Sequence, residues 1–180
     1  MLQNYNKYKV LKVFLFSPTD SFRLRELSKM IELSPLSVVN YLREFGELSL
    51  VRKYTKRGIP YYQGLRDNCD FQLYQKLAIQ YELHKSGLIR FLWEKLSPRC
   101  IVLFGSFAHG QAIEDSDIDL FLHCKLVDLD LRKYEKILGK KLHVLMESGR
   151  NYSEEFWNNL INGIVLRGYL TANDAEGNPK

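Results

Sequence analysis

The sequence predicts an α+β protein with an N-terminal helical domain, a helical connector and a C-terminal domain in which helices flank a small mixed sheet. Several segments before residue 98 have apolar residues at helical spacing, whereas a continuous apolar run typical of a buried strand begins at Cys100. The charge divides similarly: residues 1–70 hold twelve Lys and Arg against seven Asp and Glu, and residues 71–180 hold fourteen of each. The predicted boundaries are 1–68 for the first domain, 69–97 for the connector, 98–170 for the second domain and 171–180 for a flexible tail.

Composition excludes several classes of protein. An apolar content of 46% and a charged content of 26% over 180 residues are ordinary for a globular chain and argue against disorder. No run approaches ~18 uninterrupted apolar residues, and residues 1–12 are polar, so neither a membrane span nor a signal peptide is expected. Cys69, Cys100 and Cys124 are odd in number and form no CxxC pair, which favours a reducing cytoplasm over a disulfide frame or a zinc site. We therefore expect a cytoplasmic protein without a membrane partner.

The first two helices are predicted from apolar patterning. Residues 5–16 are rich in apolar side chains and end at Ser17, which precedes a proline. Either Asp20 or Ser21 can serve as the N-cap of the second helix. The apolar positions of that second helix are Leu24, Leu27 and Ile31.

A third helix and a hairpin follow. Ser34 as N-cap and Pro35 at the first helical position predict a helix that continues through Phe45. The apolar positions of this helix are Val38 or Val39, Leu42 and Phe45. The hairpin is predicted as a strand at 50–54, a turn at 55–58 and a strand at 59–63.

This order of elements is typical of a winged helix-turn-helix domain, with residues 31–35 as the turn. In such a domain the second helix of the pair enters the major groove of duplex DNA, while a basic hairpin contacts backbone phosphates. The local excess of positive charge also favours a polyanion partner, with solubility as the alternative. A small helical domain with a solvated hairpin, or a module that contacts proteins, would give the same pattern. The candidate DNA-binding residues are Ser37, Asn40, Tyr41 and Arg43 on the helix and Lys53, Lys56 and Arg57 on the hairpin.

The connector is predicted as two helical pieces separated at Ser86-Gly87. The second piece ends at Ser97, before a proline. The apolar stripe of the first piece is predicted as Phe71, Tyr74, Leu77, Ala78 and Tyr81, and that of the second as Leu88, Phe91, Leu92 and Leu96.

Residues that could carry chemistry follow the buried strand at 100–104. Gly105 and Ser106 come directly after it and can begin a helix, where backbone N–H groups and a hydroxyl would face an anion. Glycine allows a phosphate to approach the backbone closely. Taken alone, a Gly-Ser pair after a strand is common and weakly informative.

Two aspartates make the pattern more specific. Asp117 and Asp119 open a second apolar strand, predicted at 117–122, and alternate positions of a strand share one face. Neighbouring carboxylates repel each other unless a cation lies between them, and oxygen ligands suit Mg²⁺. A phosphate-binding turn beside a pair of carboxylates is what phosphoryl or nucleotidyl transfer requires.

The motif resembles the signature of minimal nucleotidyltransferases of the polymerase-beta superfamily, of the antitoxin type. Residues 103–106 (Leu-Phe-Gly-Ser) are followed after ten residues by Asp-Ile-Asp at 117–119, and the closing segment 162–168 is also similar. The architecture also resembles that of prokaryotic proteins that place a winged helix before such a domain, so the resemblance covers nearly the whole chain.

The resemblance implies specific roles. Gly105 and Ser106 would bind a nucleoside triphosphate, ATP as the first candidate, and Asp117 and Asp119 would be catalytic ligands of Mg²⁺ or Mn²⁺. The acceptor of the transferred nucleotide would be a partner protein, a nucleic acid or a small molecule.

The sequence departs from the family pattern at three positions. The strand at 141–146 places His143 where relatives carry a third catalytic carboxylate. An imidazole suits Mn²⁺ or Zn²⁺ better than Mg²⁺, although it can serve as a general base. His109 and Gln111 also replace an arginine and an acid that are common in relatives. Two functions are therefore left open: a nucleotidyltransferase, and a DNA-binding regulator whose nucleotidyltransferase domain senses nucleotide or has lost its chemistry.

Overall fold

The computed structural model describes residues 6–146 and 152–171, which fall into two compact units. Unit 1 comprises Met1–Ala78 together with Gly110–Glu114, and unit 2 comprises Ile79–His109 together with Asp115–Lys180. The tail predicted at 171–180 lies, apart from its first residue, outside the described residues.

Three helices of unit 1 match the sequence prediction closely. They are α1 (Asn6–Phe16), α2 (Leu24–Ile31) and α3 (Pro35–Glu47). The Ser34 hydroxyl caps α3 as predicted, because it accepts a hydrogen bond from the Ser37 N–H at 3.1 Å. The helix continues two residues beyond the predicted end at Phe45.

A three-stranded antiparallel sheet completes unit 1. Its strands are β1 (Ser21–Phe22), β2 (Val51–Lys56) and β3 (Ile59–Gly64), in the order β1-β3-β2. The buried core that joins this sheet to the three helices includes Val10, Phe14, Leu15, Phe22, Leu27, Val38, Leu42, Phe45, Leu50, Val51, Tyr62 and Phe71.

The predicted cap of α2 at Asp20 or Ser21 is wrong. Ser21 belongs to β1, and α2 begins only after Arg23, whose backbone N–H donates to the Glu26 carboxylate at 3.2 Å. Phe22 explains the difference, because its ring is buried and packs edge-on against Phe14 at a centroid distance of 5.7 Å. Burying this ring keeps the segment in the sheet instead of the helix.

The hairpin turn is shorter than predicted. It contains only Arg57 and Gly58, whereas Thr55 and Lys56 belong to β2. Both turn residues have positive φ, 52° for Arg57 and 76° for Gly58. A two-residue turn of this kind matches the twist of the flanking strands, so the strands pair up to its edge.

The buried face of α4 (Cys69–Lys85) differs from the predicted stripe. Tyr74 and Leu77 are 40% and 52% exposed, whereas Phe71, Gln75 and Ala78 are buried. A glutamine on the inner face broke the apolar periodicity that the prediction relied on. The next helix, α5 (Leu88–Leu96), follows Gly87 as predicted.

Gln75 is buried because it satisfies backbone groups of unit 1. Its amide nitrogen donates to the carbonyls of Leu15 at 2.6 Å and Ala112 at 2.9 Å, and its amide oxygen accepts the Ala112 N–H at 3.0 Å. Leu15 lies in the last turn of α1, where carbonyls lack helical partners. The Glu114 carboxylate also accepts hydrogen bonds from the N–H and hydroxyl of Thr19. These contacts fix residues 110–114 within unit 1.

Unit 2 contains the mixed sheet that the sequence predicts. Its strands are β4 (Cys100–Phe104), β5 (Ile118–Leu122), β6 (Leu142–Met146) and β7 (Ile164–Gly168), in the order β6-β5-β4-β7. Strand β4 is antiparallel to β5 and β7, and β5 is parallel to β6. Besides α5 and the end of α4, unit 2 contains the helices α6 (Gly105–His109), α7 (Arg132–Leu138) and α8 (Glu154–Ile161). The connection between the two parallel strands contains α7, as parallel pairing requires a crossover.

Aromatic rings form much of the core on one face of this sheet. Phe121 is fully buried and lies 6.0 to 6.4 Å, between ring centroids, from Tyr152, Phe156 and Trp157. All five residues of β4 are buried, as its continuous apolar run predicted.

Among the described residues, no helix is both long and apolar enough to cross a membrane.

We expect Gln75→Leu to lower the free energy of unfolding by about 3 kcal/mol, because it leaves three buried backbone groups without partners. Urea unfolding followed by circular dichroism measures the change. Gln72→Leu is the matched control on the same helix, since its side chain makes one surface hydrogen bond to the Arg66 carbonyl. Equal stabilities for the two variants would contradict the role assigned to Gln75.

Candidate functional site

The candidate site lies where three neighbouring strands of unit 2 bring polar residues together. Asp119 pairs with Phe104 of β4 on one side and with His143 of β6 on the other. Gly105 directly follows Phe104. The sheet register therefore sets Asp119 between Gly105 and His143, which combines residues far apart in the sequence.

Gly105 lies directly against the Asp119 carboxylate. Its φ is +69°, and a Cβ atom at this position would overlap Oδ2 of Asp119. Any other residue would therefore be strained in its backbone and would displace the carboxylate. Ser106 follows as the second residue of α6 and is partly exposed.

His143 contacts the other carboxylate oxygen. Its Nδ1 lies 3.0 Å from Asp119 Oδ1, and the side chains of His143 and Asp119 are 56% and 25% exposed. An ionised carboxylate only accepts hydrogen bonds, so Nδ1 carries the proton when Asp119 is ionised. Nε2 of a neutral ring is then an unprotonated acceptor on an exposed side chain.

Asp117 lies just outside the strand that was predicted to contain it. Strand β5 begins at Ile118, and Asp117 is exposed immediately before it. The alternation argument therefore holds for Asp119, whereas the position of Asp117 depends on the preceding loop. Ile118 and Leu120 enter the core as predicted.

The ligand types of Asp117, Asp119 and His143 suit a hard or borderline divalent cation. Two carboxylates and one imidazole offer oxygen and nitrogen ligands, and Gly105 leaves space at Oδ2 of Asp119 that a side chain would fill. Within residues 6–146 and 152–171, no group of three or more His, Cys, Asp or Glu side chains is arranged to hold a metal ion. Asp117 and Asp119 are thus candidates for a site that substrate oxygens would complete.

The candidate DNA-binding residues of α3 differ in their surroundings. Asn40 and Arg43 are exposed. Ser37 is partly buried, and its hydroxyl lies 2.9 Å from the Ser34 hydroxyl at the helix start. Tyr41 is partly buried against the core of unit 1. Fewer of the α3 candidates therefore have exposed side chains than the sequence predicted: Asn40 and Arg43 do, and Ser37 and Tyr41 do not.

The three candidate DNA-binding residues of the hairpin are all exposed. Lys56 and Arg57 lie at its end, and Lys53 is paired with the buried Tyr62 of β3. Of the three, only Arg57 lies in the two-residue turn, whereas Lys53 and Lys56 belong to β2.

The sequence did not predict the close approach of Gly105 to Asp119. It assigned glycine a role toward a phosphate, whereas this glycine also makes room for a carboxylate. The signal that could have revealed the contact is the position of both residues at the ends of adjacent buried strands.

Residues 86–151 match the family model described as Polymerase beta, Nucleotidyltransferase. This range includes Gly105, Ser106, Asp117, Asp119 and His143. No curated protein matches the chain.

Two solved structures show limited similarity. One is a crystal structure of a toxin–antitoxin with AMP-PNP, 24% identical, with a TM-score of 0.37, covering 49% of this chain and 75% of that chain. The other is a mutant of the toxin–antitoxin MntA-HpeT, 22% identical, with a TM-score of 0.36 and the same coverages. Similarity at this level does not establish a common activity. The family match is the stronger finding: within residues 86–151, the chain carries a nucleotidyltransferase domain of the polymerase beta type.

Proposed function

We propose that this chain is a metal-dependent nucleotidyltransferase that transfers AMP from ATP to an acceptor hydroxyl. The observation that carries the proposal is the placement of Asp119 between Gly105 and His143, inside the segment that matches the family. Gly105 follows the buried strand β4, Asp119 lies in the largely buried strand β5, and His143 lies on the neighbouring edge strand β6. Positioning on a sheet gives the support that a catalytic site needs.

In the proposed reaction, the acceptor oxygen attacks the α-phosphorus of ATP. The bond from that phosphorus to the bridging oxygen breaks, pyrophosphate leaves, and the acceptor proton passes to a base. Backbone N–H groups after Gly105 and the Ser106 hydroxyl are suited to hold the triphosphate, because they are donors at the end of a buried strand. Catalysis of this kind depends mainly on positioning and on stabilising charge.

Asp117 and Asp119 would hold the divalent cation, Mg²⁺ or Mn²⁺. The cation would neutralise charge on the phosphate oxygens of the substrate. Asp119 is the better fixed of the two, since the Gly105 backbone lies against Oδ2 and the His143 ring contacts Oδ1. Asp117 is exposed immediately before β5.

His143 is the proposed general base. With Nδ1–H donated to Asp119, Nε2 can take the proton from the acceptor hydroxyl. Asp119 then orients the ring and stabilises the imidazolium that forms, as a carboxylate does in other catalytic pairs with histidine. This assignment gives His143 a role at the position where relatives carry a carboxylate.

The acceptor is proposed to be a hydroxyl of a partner protein. The resemblance of the motif to antitoxin-type nucleotidyltransferases supports this choice over a nucleic acid or a small molecule.

We propose that the N-terminal part is a winged helix-turn-helix that binds duplex DNA. Its order of elements, helix, strand, two helices and two strands, with β1 at the sheet edge beside β3, supports this assignment. Exposed Asn40 and Arg43 on α3 would contact bases or phosphates, and Lys53, Lys56 and Arg57 would contact the backbone.

A second candidate is a DNA-binding regulator whose nucleotidyltransferase domain has lost its chemistry. It is favoured by His143, which replaces an acid and occupies one oxygen of Asp119. The two candidates differ in whether ATP and Mg²⁺ lead to transfer or only to binding.

Asp117→Asn and Asp119→Asn are each expected to lower nucleotide transfer at least ~100-fold, because each removes a charged ligand from the phosphate region. Transfer from labelled ATP measures the loss, and thermal unfolding checks that both variants fold. Asp115→Asn is the matched control, since Asp115 is exposed in the loop before the site. Wild-type transfer by either Asp117→Asn or Asp119→Asn would show that the ligand assignment is wrong.

His143→Ala is expected to lower kcat by about 100-fold or more with little change in KM, as the loss of a general base does. His143→Asp should recover much of the loss, because it restores both a base and a ligand. The same transfer assay measures both variants, with His84→Ala, an exposed histidine of α4, as the control. If wild-type protein is inactive and His143→Asp gains neither activity nor thermal stability from Mg²⁺, the regulator is the better assignment.

The affinity of the full chain for duplex DNA is expected to fall steeply with salt. Each phosphate contact contributes about −0.9 to the log–log slope, so three or four contacts give a slope near −3. Lys56→Ala combined with Arg57→Ala should flatten it by up to ~2. Fluorescence anisotropy over a salt series measures the slope, and Lys133→Ala with Lys136→Ala removes equal charge from exposed positions on α7. Salt-insensitive binding, or no binding at low salt, would refute the DNA proposal.

A further inference from the structure

The outer face of the three-stranded sheet in unit 1 carries a row of basic and aromatic side chains. The strand register pairs Arg52 with Gln63 and Tyr54 with Tyr61, so these four side chains share one face of the hairpin. The opposite face includes the buried Tyr62 and belongs to the core. The row therefore lies on the side of the sheet that the core does not use.

The side chains of this row contact each other in sequence. The rings of Tyr54 and Tyr61 are stacked, with centroids 5.9 Å apart and planes 20° apart. The Arg23 guanidinium lies 5.1 Å from the Tyr61 ring centroid and donates to the Tyr61 hydroxyl at 2.9 and 2.6 Å. At the other end, the Arg52 guanidinium lies 5.9 Å from the Tyr54 centroid and donates to Gln63 Oε1 at 3.1 and 2.5 Å.

Further hydrogen bonds tie the row to the first strand and the residues before it. The Tyr54 hydroxyl donates to Ser21 Oγ at 2.8 Å, and the Gln63 amide donates to the Thr19 carbonyl at 2.6 Å. The two guanidinium groups are thus held in defined positions before any ligand binds. Such preorganisation lowers the entropy cost of binding.

The partners that hold both guanidinium groups are neutral. Arg23 and Arg52 are exposed, and in the described part of the chain neither forms an ion pair with a carboxylate. Of the acids close in the structure, Glu26 accepts from the backbone N–H of Arg23, and Glu114 is bound to Thr19. The row therefore presents two positive charges whose direct side-chain partners are a hydroxyl, an amide oxygen and two rings.

We infer that this row, Arg23, Arg52, Tyr54 and Tyr61, is a second DNA-binding surface that contacts the phosphate backbone of duplex DNA. The inference rests on the proposed DNA-binding function and extends it beyond α3 and the end of the hairpin. Fixed guanidinium groups match phosphate oxygens in charge and geometry.

The arrangement of the rings favours duplex backbone over single strands. Single-strand binding proteins offer open aromatic faces on which bases stack. Here each tyrosine already contacts the other ring and a guanidinium group, so a base would have to displace one of them. Lys56 alternates with Arg52 and Tyr54 along β2, which continues the basic row to the end of the hairpin.

The test compares variants of the full chain on a labelled duplex of random sequence over a salt series. Arg23→Gln combined with Arg52→Gln should reduce the log–log slope by about 2 and weaken binding most at low salt. Tyr61→Phe removes the hydroxyl that holds Arg23 without changing the charge, so it should weaken binding at fixed salt and leave the slope nearly unchanged. Arg90→Gln combined with Lys136→Gln is the control of equal charge, on exposed residues of unit 2.

Each other outcome overturns the inference in a distinguishable way. If Lys56→Ala with Arg57→Ala flattens the slope but Arg23→Gln with Arg52→Gln does not, the DNA-binding function stands and this surface does not take part. If Arg23→Gln with Arg52→Gln weakens binding of a single-stranded oligonucleotide but not of the duplex, this surface binds single strands. If wild-type protein binds no duplex at any salt concentration, the proposed DNA-binding function fails and the inference fails with it.

Discussion

The position of the Asp119 carboxylate is the constraint on which the candidate site depends. One oxygen faces the backbone of Gly105 and the other is hydrogen-bonded to His143. Both contacts follow from the register of β5 with its two neighbours, and a shift of one residue would turn Asp119 toward the core. The buried side chains of Ile118 and Leu120 therefore fix the site as firmly as its polar groups do.

The chain between Ser106 and Asp117 has a constraint of its own. Residues 110–114 belong to unit 1, where Gln75 satisfies both backbone groups of Ala112. The loop that precedes Asp117 is thus anchored by a buried amide, and a mobile loop would leave these backbone groups without partners. Asp117 lies outside β5, so the strand register that positions Asp119 does not include it.

The sequence predicted elements whose apolar pattern was complete and failed where a polar residue or a single ring decided the structure. Strand β4 and helix α3 follow from an unbroken apolar run and a Ser-Pro start. The buried face of α4 does not, because Gln75 is buried by distant backbone partners that periodicity cannot reveal. Strand β1 is two residues long, and its pairing with β3, the buried ring of Phe22 and the hydrogen bond from Tyr54 to Ser21 are all tertiary contacts. In the candidate site, spacing identified the residues, while their mutual contacts required the strand register.

The contacts of each basic side chain also decide whether its charge is available for binding an anion. On the surface of unit 2, side-chain hydrogen bonds from Arg132 lower the pKa of Asp130 to about 2, so each charge is neutralised by the other. Arg23 and Arg52 are instead held by a hydroxyl, an amide and two rings, which fix the guanidinium groups without cancelling their charge. The net charge of +5 resides in the first 70 residues, but its effect on a polyanion depends on such partners. Counting basic residues indicates where the proposed polyanion partner would bind, and the neutral partners of each arginine then indicate which charges a phosphate would meet.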